Sequence, residues 1–229
     1  MTNVLLSVQW PGMEAVTECT EPTLARYAER HNYDLQVASI NGRLEGPSQQ
    51  ADPWIKIGLV RELMNDPGTN SVTWIDPGQM IVRFDRDIAD ELGDRDYQGL
   101  IWEQNTDSPS FAIHPEVWIL RQDGRSGRLL HRIQEVGRKT LGGRTVRQAM
   151  YEVLGVDAGN IADGDFVPEP TAPSDLCAGI GRLPVEWKPA APMYSTPDTP
   201  IINYAAMPDE MRLPMMRSKL AAMQADDLL

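Results

Sequence analysis

The sequence predicts an α/β protein with a mainly parallel sheet flanked by helices, on the strength of three observations. Strand-like and helix-like segments alternate through the first two-thirds of the 229 residues. The strand-like segments are short and almost wholly apolar, as in Val4 to Val8, the pattern of strands covered on both faces. Hydrophobic residues make up 41% of the chain, enough for a packed core and too many for wholesale disorder.

The elements follow in order. Val4 to Val8 is a β-rich run that ends in a turn at Gln9, Trp10, Pro11 and Gly12. Glu21 to Arg30 has helical spacing, with Leu24, Tyr27 and Ala28 on one side, and His31 falls at its end, where a cation suits the dipole. Leu35 to Ile40 is a second strand closed by Asn41-Gly42. From Pro53 to Met64 the spacing of Ile55, Leu59 and Leu63 is that of an amphipathic helix, capped by Asp52 and opened by Pro53. Val72 to Asp76 is a strand running into Pro77-Gly78, and Asp85 stands as the cap of a helical stretch at 86 to 92. Strands are expected at Gly99 to Trp102 and Val117 to Leu120, and helices at Gly127 to Val136 and Thr145 to Leu154. After Gly155 the composition turns proline-rich, which predicts loops wrapping the sheet, then a late strand at Ile201 to Tyr204 and a Met-rich helix from Leu213 to Leu228. Residues 1–155 are thus expected to form the core, and 156–229 to complete the same domain.

Charge and cysteine usage narrow the function classes. A net charge of −12 opposes nonspecific attraction to nucleic acid or anionic membrane. Between Arg121 and Arg147, however, eight basic residues face two acidic ones, a basic island suited either to a phosphate group or to a solvated helical face. Cys19 and Cys177 match no metal spacing and suit a reduced, cytoplasmic setting. No apolar run approaches the roughly 20 residues that cross a bilayer, and Met1 to Trp10 lacks the features of a signal peptide. No Ser-His-Asp or Cys-His arrangement follows from spacing, and no Gly-rich phosphate loop is present.

In parallel sheets ligands gather beyond the carboxyl ends of strands, which directs attention to Ser7, Gln9 and Trp10 and to Asp76-Pro77-Gly78-Gln79. Asp76 ends an apolar strand, where a carboxylate is costly without a partner; satisfying its own turn is the simpler role. Asp85-x-Asp87 and Asp94-x-Asp96 share the same spacing but suit a helix cap and a solvated turn. Trp10 and Trp102 fit either stacking on a base or sugar or lidding the core. His131 lies in a basic helix, and a structural role is favoured for His114, beside Pro115 and Glu116.

An ordered series of segments carries a family likeness: Trp54-x-Lys56 on a helix, Trp74-Ile75-Asp76 at a strand end, and Tyr27-Ala28-Glu29-Arg30-His31-Asn32-Tyr33-Asp34 upstream of both. Val117-Trp118-Ile119-Leu120-Arg121, Arg147-Gln148-Ala149 and Ile201-Ile202-Asn203-Tyr204-Ala205 follow downstream. Together they resemble the retaining glycosyltransferases that include the xyloglucan xylosyltransferases and the fungal galactosyl- and mannosyltransferases. The resemblance implies a GT-A fold and transfer of a sugar from a nucleotide sugar, UDP- or GDP-linked, to a hydroxyl acceptor with retention of configuration. It places Lys56 beside the donor diphosphate, Asp76 on the donor ribose or sugar hydroxyls and Gln148 on the donor sugar. Glu103 and Glu116 become polar contacts near the transferred sugar, and Arg121 and Arg147 line its pocket.

That family neutralises the departing diphosphate with a divalent metal held by Asp-x-Asp and a late His. Here the motif reads Asp76-Pro77-Gly78, the late His position is Asn203, and Arg147 stands where an Asp is usual. Asp76 and Asn203 are therefore weak metal candidates, and manganese or magnesium is expected to bind weakly or not at all. Basic side chains, Lys56 first and then Arg121 and Arg147, are expected to take the metal's part. The alternative is a noncatalytic binding or scaffold protein that kept the fold. A protein or glycan acceptor fits the overall acidity better than a modified nucleic acid, and no membrane partner is expected; oligomeric state is open.

Overall fold

In the computed structural model, residues 1–40, 54–139, 144–156, 166–170, 173–205 and 207–229 are described. The expected Asn41-Gly42 turn and the Asp52-Pro53 helix start fall outside these residues. The described elements are strands β1 (Thr2–Gln9), β2 (Tyr33–Ser39), β3 (Thr69–Ile75), β4 (Gln79–Ile81), β5 (Gln98–Gln104), β6 (Ser110–Arg121), β7 (Val167–Pro168), β8 (Ile180–Leu183) and β9 (Ile201–Asn203). The helices are α1 (Glu14–His31), α2 (Ile55–Met64), α3 (Gly124–Lys139), α4 (Val146–Val153) and α5 (Asp209–Ala225).

The main sheet runs β2-β1-β3-β6-β5-β8, with β7 paired to the start of β6. β1 is parallel to both β2 and β3, and β5 is parallel to β8. β6 alone on this path runs the other way, antiparallel to β3 and β5. The sheet is therefore mixed and mainly parallel, as expected. Val4, Leu6 and Val8 of β1 join one core with Ile57 and Val60 of α2 and Leu129, Leu130 and Ile133 of α3. Leu5 faces the other way and packs with Val16, Leu24 and Tyr27 of α1 and Met216 of α5. The two-residue alternation of a strand thus feeds two apolar layers, one on each face.

Four departures from the sequence expectations have local physical causes. α1 begins seven residues before Glu21 and carries Pro22 inside it; burial of Val16, Cys19 and Thr20 holds the first half, and Thr20 and Thr23 donate to carbonyls three residues back. Asp87, not Asp85, caps a short 3-10 turn at Ile88–Glu91. Its carboxylate also accepts from Tyr27 and Tyr33 at 3.1 and 2.8 Å, while Asp85 pairs with Arg83. Ile180–Leu183, in the proline-rich stretch read as loop, adds β8 to the sheet edge. Finally, β6 starts at Ser110 and contains Pro115: Leu100 pairs with Trp118 but the next residue, Ile101, pairs with His114. Residues 115 to 117 bulge out of the β5–β6 ladder, a place where proline's missing N–H costs nothing.

Candidate active site

The order β2-β1-β3 means that the chain leaves β1 to one side and returns on the other, so the carboxyl ends of β1 and β3 flank a topological switch point. β3 ends there at Ile75, and the backbone N–H of Asp76 donates to the carbonyl of Glu116 at 2.9 Å. This bond stitches the end of β3 to the β6 bulge. Pro77 and Gly78 then turn the chain into β4; Gly78 takes φ +81°, and a Cβ there would sit 3.3 Å from the Ala205 side chain. β4 pairs with β9, setting Gln79 opposite Asn203.

Lys56 enters from the first turn of α2. Only 7% exposed, its ammonium lies 2.8 Å from Asp76 Oδ1, donates to the carbonyl of Pro115 at 2.6 Å and stands 5.0 Å from the centre of the Trp74 ring. Trp74 Nε1 donates to the same Asp76 oxygen. Burial raises the Asp76 pKa above the usual carboxylate range, and the bonds from Lys56 and Trp74 only partly offset it. The half-buried Asp76 carboxylate thus has one oxygen doubly bonded by protein, and no protein donor reaches Oδ2 among the described residues.

A second group adjoins the first across the bulge. Arg147, from the first turn of α4, pairs with Glu116 Oε1. Glu116 Oε2 is buried, has no hydrogen-bond partner among the described residues and lies 3.9 Å from His114 Nδ1. His114 Nε2 is 2.8 Å from Glu103 Oε2, which also accepts from Lys188 at 2.6 Å. Burial lowers the His114 pKa against the pull of Glu116. For Glu103, burial pushes upward, but the bonds from Lys188 and His114 prevail and its pKa is lowered.

The structure brings Lys56, Asp76, Glu103, Glu116 and Arg147 to one edge of the sheet. Gln9 ends β1 on the same edge, and Ser7 is buried just before it. Other expected residues take different places. Trp10 is 8% exposed and belongs to the core, so its ring offers no open face to a base. Trp102 is stacked on Phe111 at 4.0 Å with the Arg182 guanidinium 4.5 Å from its centre. Arg121 lies at the opposite edge: antiparallel β6 sets it across from Ser71, four residues below Ile75 on β3. There it donates to the carbonyls of Gly93 and Asp96 at 2.7 and 3.2 Å. Gln148 forms a reciprocal capping box with Thr145, its Oε1 accepting from Thr145 N at 2.9 Å. Sequence reasoning missed Lys188, which sits in a proline-rich stretch with no periodicity to mark it, and gave Trp74 no role of its own.

Both positions that the resemblance assigns to a metal, Asp76 and Asn203, are bonded within the protein. The Lys56 ammonium already sits on Asp76, and Asn203 Oδ1 accepts from Ala205 N at 2.9 Å. Gln79 is 2% exposed, and its buried Oε1 has no hydrogen-bond partner among the described residues. Among the described residues no group of three or more His, Cys, Asp or Glu side chains could hold a metal ion.

No protein-family model and no curated protein matches the sequence. Solved structures do match the fold. One is a glycosyltransferase involved in the glycosylation of the major capsid of PBCV-1, with TM-score 0.63 and 12% identity over 95% of this chain and 100% of that one. The chain shares its fold with that glycosyltransferase. A second likeness is to the glycosyltransferase GlyE of Streptococcus pneumoniae TIGR4, with TM-score 0.52 and 8% identity over 99% of this chain, which spans 64% of GlyE. No helix among the described residues is long and apolar enough to cross a membrane.

Proposed function

We propose that this chain is a glycosyltransferase that moves a sugar from a nucleotide-sugar donor to a hydroxyl acceptor without a resident metal. The observation that carries the reading is the Lys56–Asp76 pair, 2.8 Å apart, at the switch point of a glycosyltransferase fold. Lys56 fixes the Asp76 carboxylate, and Oδ2 accepts a ribose or sugar hydroxyl of the donor. In transfer, the bond from the anomeric carbon to the diphosphate breaks with its electron pair going to the diphosphate. The acceptor oxygen takes the carbon, and the acceptor proton leaves with the diphosphate. Arg147 and Lys56 are the cations that offset the charge that develops. Retention of configuration and a cytoplasmic setting belong to the same reading.

One observation favours a second reading. Lys56, Arg147 and Lys188 are each already paired with a carboxylate, which suits a noncatalytic binding protein on the same fold. Incubation with a panel of UDP- and GDP-sugars in EDTA separates the two. The enzyme reading expects slow release of free sugar from at least one donor, unchanged by manganese. Donor binding with no release in either condition supports the binding protein, and no binding at all overturns both.

A further inference from the structure

The segment 184–200 forms a cavity of about 360 Å³ beside the site, lined by Val185, Glu186, Lys188, Ala191, Tyr194 and Thr199 among others. That volume lies within the range of small-ligand pockets. We propose that this cavity is a carbohydrate subsite that holds a pyranose ring of the acceptor, one face against Tyr194; the acceptor role rests on the glycosyltransferase reading above.

Tyr194 is 76% exposed, yet the backbone beneath it is fixed. It ends a 3-10 turn, Pro192–Tyr194, closed by bonds from Tyr194 N to Ala191 O at 2.8 Å and from Ser195 Oγ to Pro192 O at 2.8 Å. The preceding turn is anchored by buried Trp187, whose Nε1 donates to Glu91 at 3.1 Å. Between the turns, Ala190 forms a bridge to Ile202 of β9, and Asn203 N donates to Ala190 O at 2.8 Å. Prolines at 184, 189, 192, 197 and 200 stiffen the segment further. An exposed aromatic ring on so rigid a support loses little entropy when it is covered.

The lining chemistry suits a sugar. A pyranose has an apolar C–H face and a rim of hydroxyls. The cavity is lined by an aromatic residue, Tyr194, by small apolar Val185 and Ala191, by the exposed Glu186 and by Thr199. Lys188 is the shared wall: it lines the cavity, and its ammonium bonds Glu103, which bonds His114. A sugar seated here lies next to the group of charges that the donor site presents.

The test uses saturation-transfer NMR on the full chain with methyl glycosides of glucose, galactose, mannose and xylose and with cellobiose. Tyr194→Ala and Ala191→Trp are the variants, and UDP and GDP melting shifts are recorded on the same samples. At least one sugar should receive saturation, weakened about fivefold or more by Tyr194→Ala, the weight of one aromatic contact, and blocked by Ala191→Trp. No transfer to any sugar, or transfer indifferent to both variants, overturns the subsite. Nucleotide shifts without sugar transfer overturn the subsite alone. Sugar transfer that responds to both variants, with no nucleotide response, supports a sugar pocket while overturning its acceptor role.

Discussion

At the carboxyl edge of the sheet, Asp76, Glu103, Glu116 and His114 bond chiefly to side chains from other elements, with Lys56, Arg147 and Lys188 as the cations. At the opposite edge, Arg121 bonds the carbonyls of Gly93 and Asp96, while Arg125 pairs with nearby Asp123 and bonds the carbonyl of Arg95. Both edges are rich in charge, but the partners differ. A guanidinium spent on chain carbonyls fixes a turn and has little left for a ligand. Carboxylates held by side chains converging from α2, α4, β5 and β6 keep an oxygen in reserve, as at Asp76 Oδ2. The position of a charge in the network, rather than its exposure, separates the site from its surroundings.

Substitutions on the two edges should have different effects. Lys56→Met leaves the half-buried Asp76 without its main counter-charge. It should cost about 2 kcal/mol in urea unfolding and remove any melting shift by UDP or GDP. Arg121→Ala should cost about 1 kcal/mol and leave the nucleotide shift intact; loss of that shift would return Arg121 to the site. The smallest effect is one of pH. His114 is packed among Glu103, Glu116, Lys188 and Arg147, and its pKa is lowered on folding, so the unfolded chain binds the proton more readily. Its contribution is present above the unfolded value of about 6.5 and is lost as pH falls through the folded one. Urea midpoints should therefore decline below about pH 6.5, and less steeply in His114→Gln.

How far this was legible in the sequence follows from which signals are local. Continuous apolar runs marked β1 and β3, and helical spacing marked α2, because burial on both faces or on one stripe writes itself into neighbouring residues. Strand direction does not. Read as one more parallel strand, Val117 to Arg121 would carry Arg121 to the carboxyl edge. In the antiparallel β6 that end lies at the far edge, and the earlier His114-Pro115-Glu116 takes the place beside Asp76. Pro22 and Pro115 hid the first half of α1 and the start of β6, since tertiary burial overrode the local breaker in each case. Lys56 was singled out through a family resemblance and Asp76 also by its place at the end of an apolar strand, but their contact needed the fold. Lys188 was invisible because its partner, Glu103, lies 85 residues away.

The most direct measurement is a structure of the protein soaked with UDP and with GDP in the presence of EDTA. Nucleotide density is expected at the carboxyl ends of β1 and β3, with a ribose hydroxyl on Asp76 Oδ2 and Lys56 still on Oδ1. Density elsewhere, or density at that edge only after manganese is added, would contradict the proposed function.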